Sequence, residues 1–164
     1  MTTMIDTYAR GLTVTAAIGA GLAGGVYLAF STFVMPGLRK LPHSQAISSM
    51  NAINKAAPSN PLLMLVLFGT GIACVLLMIS GFQHRGDPAA VWQIVGAALY
   101  LVSVLILVAY HVPHNDQLMK VDPNGAGAGS TWSHFYSAWM AWNHVRTLAA
   151  ASGAVSLVLA LRAG

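Results

Sequence analysis

Three long runs contain no Asp, Glu, Lys or Arg: residues 11–38, 61–83 and 89–112. Each exceeds the ~20 residues that an α-helix needs to cross ~30 Å of hydrocarbon. A fourth apolar stretch begins near Trp139 and ends before Arg162, and it is long enough only if Asn143, His144 and Arg146 lie inside it or at its rim. Charged residues are 7% of the chain and apolar ones 56%, against about a quarter charged in a soluble domain. Lipid is therefore the solvent that this composition suits. The first run is too long for a signal-peptide core and has no convincing cleavage pattern, so it reads as a retained span. The expected fold is all-α, an antiparallel four-helix bundle of integral membrane type. It forms one domain over residues 1–164, with spans at about 11–35, 61–82, 90–112 and 139–161.

Such a bundle puts both termini and the short turn at 84–88 on one side, side A, and two longer connections on side B. The first connection, 36–60, carries an amphipathic helical segment in which Ile47, Met50, Asn54 and Ala57 share a face, with Asn51 beside it. The second runs from Pro113 to about Thr131 and is glycine-rich, VDPNGAGAGS. Arg39, Lys40, Lys55 and Lys120 near side B outnumber Arg10, Arg85 and Arg162 near side A, which leans towards a cytoplasmic side B. A net charge of +4 spread among four spans makes no basic patch, so nucleic acid is not an expected partner and the lipid bilayer is. The single cysteine, Cys74, lies mid-span and excludes an internal disulfide.

The two halves share a pattern. FVMPGLRKL (33–41) at the end of the first span parallels YHVPHNDQL (110–118) at the end of the third, and MNAIN precedes the second span as WNHVR enters the fourth. A duplicated hairpin or two similar helix ends would both give this. In GAGLAGG the glycines 19, 21 and 24 fit G-x-G-x-x-G, but no strand or acidic partner accompanies them. Ala17, Gly21 and Gly25 instead give a small residue every fourth position, which suits close helix packing, within one chain or in a homo-oligomer.

Polar groups gather at side B. Pro36 and Pro113 each remove a backbone donor and free carbonyls near the membrane surface. On the opening of the fourth helix Trp132, Phe135 or Tyr136, Trp139, Asn143 and Arg146 follow 3 and 4 spacing and form one stripe. Arg146 sits roughly 6 Å, about one turn, inside the apolar boundary, where a lone guanidinium is costly. It either snorkels to headgroups or pairs with Asn51, Asn54, Asn115 or a helix-end carbonyl in an internal cavity. His111, His114, His134 and His144 are the only set that could ligate copper or iron. The chain has no glutamate, which excludes a carboxylate-bridged di-iron bundle.

FSTFVMPGLRKL, MNAINK, HVPHNDQL and W-x-x-WNHVRT together resemble the anthrone oxygenase-like family of small four-helix membrane proteins. The most specific pieces, VP-x-N and WNHVRT, fall on Val112, Pro113 and Asn115 and on residues 142–147, and Asn54 matches the asparagine of the first side B loop. The resemblance implies a bacterial plasma-membrane protein that oxidises a small apolar aromatic or anthrone-type molecule with O2, without a cofactor. Within that implication His111 or His144 is the base, Arg146 with Asn143 stabilises the oxyanion, and Asn51, Asn54, Asn115, Trp139 and Trp142 line the substrate slot. His144 lies about 100° off the stripe, which weakens its claim. The other readings are a non-catalytic membrane module that binds a hydrophobic ligand or partner protein, and a histidine-ligated metal oxidoreductase using copper or iron.

Overall fold

The computed structural model describes residues 4–163. Its helices are α1 (Met4–Ala29), α2 (Met35–Arg39), α3 (His43–Ala56), α4 (Pro61–Met64), α5 (Thr70–Gln83), α6 (Pro88–Ile106), α7 (Val112–Leu118) and α8 (Ala128–Ala163). Five-residue π-helical turns at Phe30–Val34, Leu65–Gly69 and Leu107–His111 join α1 to α2, α4 to α5 and α6 to α7. The result is four continuous membrane-length helices, Tyr8–Arg39, Pro61–Gln83, Pro88–Leu118 and Ala128–Ala163. Each packs on its sequence neighbours, and the fourth closes the ring by packing on both the first and the third. This is the expected antiparallel bundle.

The interior is built of small residues. Ala16, Ala20, Ala23, Ala73, Ala97 and Ala150 are buried, while Ile18, Leu22, Ile72, Ile79, Leu105 and Leu148 point outward. In lipid, no hydrophobic force distinguishes inside from outside, so close approach of backbones does the packing. Helices α6 and α8 meet backbone to backbone, where a Cβ on Gly153 would lie 2.9 Å from the Gly96 carbonyl oxygen. On α1 the packed small residues are Gly19, Ala20, Ala23 and Gly24, whereas Gly21 and Gly25 face open space. Of the expected Ala17, Gly21, Gly25 stripe only Ala17 packs inside the chain, and Gly21 and Gly25 lie on the outer face of the helix.

The fourth helix holds the main departure from the expected span of 139–161. The glycine-rich connection closes in hydrogen-bonded turns around Asp122, Gly125 and Gly127, the last at φ 90°. Helix then starts at Ala128 and runs unbroken for 36 residues, about 54 Å at 1.5 Å per residue. The aromatic segment and the span are therefore one rod. Its first turns project past the bundle at the proline end and meet α3 and α7, where Met35, Ile47, Met50, Leu118, Trp132, Phe135 and Trp139 form a second apolar core. In the first half, by contrast, residues 57–60 separate α3 from the second span, and the Asn60 side chain caps α4 by accepting from Leu63 N.

Both proline exits have the same local form. Each π-turn ends two residues before its proline, Pro36 or Pro113, and a short helix follows. We predict that Gly153→Ala destabilises the protein by about 1–3 kcal/mol through overpacking at the α6–α8 crossing. Gly25→Ala, at an open position, should leave the thermal unfolding midpoint in detergent within a degree or two of the parent.

Candidate functional site

A layer of polar residues separates the bundle core from the proline-end core. Asn143 is fully buried, and its Nδ2 donates to the Tyr27 carbonyl at 2.9 Å and to Ser31 Oγ at 2.8 Å. The regular α-helical donor to Tyr27 O would be Ser31 N–H, which lies inside the Phe30–Val34 π-turn, and such a turn disrupts the i to i−4 ladder. Asn143 thus supplies a donor where the backbone ladder is interrupted. Thr147 Oγ1 donates to Asn143 O at 2.7 Å and touches Ser31 Oγ at 3.5 Å. For Asn143, structural bonding between helices is what the geometry shows.

One turn deeper, Arg146 is 7% exposed. Its guanidinium carbon lies 3.8 Å from the centre of the Tyr27 ring, and its Nε has no hydrogen-bond partner. A desolvated cation–π contact yields about 2 kcal/mol or somewhat more, less than the several kcal/mol that withdrawing a cation from water costs. The Tyr27 hydroxyl is also buried and unpartnered.

Both residues line a cavity of about 280 Å³, near the lower end of the ~300–1,000 Å³ typical of small-molecule sites. Its walls are chiefly apolar: Phe30, Met50, Ile53, Leu63, Met64, Leu67, Leu107 and the Trp139 ring. Asn54, Asn115 and Asp116 supply its other polar edges. Phe68 and Val112 line the cavity and are also more than two-fifths exposed on the outer surface of the bundle. The second and third spans pack through α5 and α6, but α4 and its π-turn make little contact with residues 107–118. The cavity therefore opens sideways between these spans.

The expected site residues divide into two groups. Asn54, Asn115, Trp139 and Arg146 come together on the cavity, with Trp139 Nε1 donating to Asn115 Oδ1 at 3.0 Å. Asn143 lies behind them, and Asn51 beside them with a buried, unpartnered Oδ1. Trp142 and His144 are not part of the group. Both are exposed on the outer face of α8, as 3.6-residue periodicity requires of neighbours of an inward Asn143. Trp142 packs instead on Tyr110, which stacks on His114 at 3.9 Å.

His111 is completely buried, its ring 4.7 Å from that of Trp139, and neither ring nitrogen has a partner. It stands behind Trp139 and does not line the cavity. His114 and His134 line a separate outer groove of about 450 Å³. The four histidines do not converge, and among the described residues no three His, Cys, Asp or Glu side chains are grouped to hold a metal ion. Sequence reasoning did not place Tyr27, Ser31 or Asp116 in the site. A tyrosine in mid-span needs a partner for its hydroxyl, and that signal was available for Tyr27.

The fold and cavity define a multi-pass membrane protein with a buried cationic site under an aromatic wall. The profile of the anthrone oxygenase family matches residues 50–156, well over half of the chain, and the chain belongs to that family. No curated protein and no solved structure matches it.

We predict that Asn143→Leu costs about 1–3 kcal/mol by stranding the Tyr27 carbonyl. His111→Phe, which removes two unsatisfied nitrogens at similar volume, should leave stability unchanged or raise it. Thermal unfolding in detergent reads both.

Proposed function

We propose that the protein oxidises a small apolar aromatic ketone of the anthrone or polyketide type with O2 inside the lateral cavity. The observation that carries this reading is the Arg146 guanidinium. It is buried on a chiefly apolar cavity wall, it lies over the Tyr27 ring, and its Nε is unpartnered.

The chemistry is as follows. Loss of a proton from the methylene carbon of an anthrone leaves an anion whose charge rests largely on the ketone oxygen across the ring. A preorganised donor in a site of low dielectric stabilises that oxygen far better than water does. The anion is electron-rich enough to reduce O2, with C–O bond formation giving a hydroperoxide. Loss of the second methylene proton with cleavage of the O–O bond then leaves a carbonyl and releases water. In total, CH2 and O2 become C=O and H2O, and no metal or organic cofactor takes part. Arg146 is the oxyanion partner, Tyr27 holds its guanidinium, and the Trp139 ring is a flat wall for the substrate. Asn143 fixes the helix that carries Arg146, and Asn54 and Asn115 orient ring substituents, with Asn51 supporting the wall beside Asn54. The substrate arrives from the bilayer through the opening beside Phe68 and Val112, in the plasma membrane of a bacterium.

Family membership leaves the substrate open, so the test uses a simple anthrone. Purified protein in lipid nanodiscs is expected to consume O2 above the uncatalysed rate and to produce the anthraquinone. Arg146→Ala should lower kcat by about 10²–10³-fold, the range for loss of an oxyanion donor. Turnover no faster than buffer, or full turnover in the variant, would overturn the proposal.

A further inference from the structure

The sequence pattern put the proton acceptor on a histidine, and the folded chain offers another group. His144 is on the outer face, and His111 has both nitrogens sealed behind the Trp139 ring. Among the described residues that line the cavity, the single carboxylate is that of Asp116.

We propose that Asp116 is the general base of the oxidation, facing Arg146 across the bound ring. This rests on the anthrone-type reading above and adds to it the identity of the catalytic base.

The dimensions of the cavity support the pairing. Trp139 donates to Asn115, so the middle of α7 lies within side-chain reach of Trp139. Arg146 is seven residues further along the same unbroken helix, which is about 10 Å of rise at 1.5 Å per residue. Asp116 follows Asn115 directly, so its backbone and that of Arg146 differ in level by about two helical turns, and the Arg146 side chain, which leans toward the N-terminal end of its helix, lines the same cavity as Asp116. In an anthrone the acidic carbon lies across the central ring from the ketone carbon, so ketone oxygen and methylene carbon are roughly 4 Å apart by covalent geometry. The C–H bond that breaks must stand perpendicular to the ring to conjugate with the ketone, so the base lies above the methylene carbon, and contacts of ~3 Å at carbon and oxygen set base and oxyanion partner about 7–8 Å apart. Two groups on adjacent turns of one helix would not straddle the ring in this way. The cavity lets Arg146 reach the ketone and Asp116 the methylene.

Exposure points to the same residue. Asp116 lines the cavity and is exposed, so a bound substrate can reach its carboxylate, whereas His111 is sealed and does not line the cavity. An aspartate suffices for a C–H bond activated by a ketone when the developing oxyanion is held in an apolar site. In the reaction the Asp116 carboxylate takes the first methylene proton and passes it to the peroxide formed from O2. It accepts the second as the O–O bond breaks, and the proton leaves with the departing oxygen as water.

The test separates proton removal from oxidation. Under strict exclusion of O2, in buffered D2O, wild-type protein in nanodiscs should accelerate exchange of the methylene hydrogens of an anthrone, followed by proton NMR. Asp116→Asn should slow both this exchange and aerobic turnover by about 10²-fold or more, the usual contribution of a general base. It should still bind anthraquinone, read by quenching of tryptophan fluorescence, within a few-fold of wild type. Wild-type rates of exchange in Asp116→Asn would overturn the assignment and leave the oxygenase reading standing. Loss of exchange in His111→Phe with none in Asp116→Asn would move the role to His111. Absence of both exchange and turnover in the wild type would overturn the oxygenase reading, and this assignment with it.

Discussion

In hydrocarbon no water completes an interrupted helix, so each break in the ladder must be closed from within the protein. Three of the four spans contain a π-turn, and at each a side chain supplies the donor. Asn143 donates to the Tyr27 carbonyl before the first turn, and the Tyr100 hydroxyl donates to Leu67 O at 2.9 Å within the second. In the third, His114 Nδ1, as the protonated tautomer, bonds Tyr110 O at 2.7 Å. The polar residues at the proline end are in this sense required by the backbone before they have any chemistry to perform.

The same breaks account for the cavity. A π-turn widens the helix locally and shifts the face that it presents. Here two of the turns lie where the second and third spans cease to pack on one another. Phe30, Leu67 and Leu107, one from each π-turn, line the resulting space. Arg146 reaches it from the uninterrupted fourth helix, whose 36-residue length also supplies the aromatic wall. A rigid helix thus presents its cation to a cavity shaped by three irregular ones.

Much of this was legible in the sequence, for a simple reason. A span buried on one side keeps its 3.6-residue period, so Trp132, Phe135, Trp139, Asn143 and Arg146 could be placed on one inward stripe, and all five are buried. Ile47, Met50, Asn54 and Ala57 were placed on one face of α3 by the same means, and the first two are buried while the last two reach the cavity. The π-turns were not legible, because a single extra residue per turn has no compositional signature. Without them neither the Asn143 bond to the Tyr27 carbonyl nor the sideways opening could be foreseen. The motif WNHVRT drew Trp142 and His144 into the site by adjacency, although neighbours in a helix face different ways. In span one the Ala17, Gly21, Gly25 spacing starts in the core at Ala17, but its two glycines belong to the outer face.

The repeat between the halves shows where function departs from scaffold. Aligned on their prolines, the two exits share the π-turn, the short helix and the closing leucine, Leu41 or Leu118. Val34, Leu38 and Arg39 of the first exit correspond to His111, Asn115 and Asp116 of the second. The first exit is therefore apolar inside and basic at its rim, and it receives the bond from Asn143. The second carries the hydrogen-bond acceptor for Trp139 and the only carboxylate among the described residues that line the cavity. Two similar supports thus hold unlike groups: the first braces the fourth helix, which carries the cavity's cation, and the second sets a carboxylate on the wall of the same cavity.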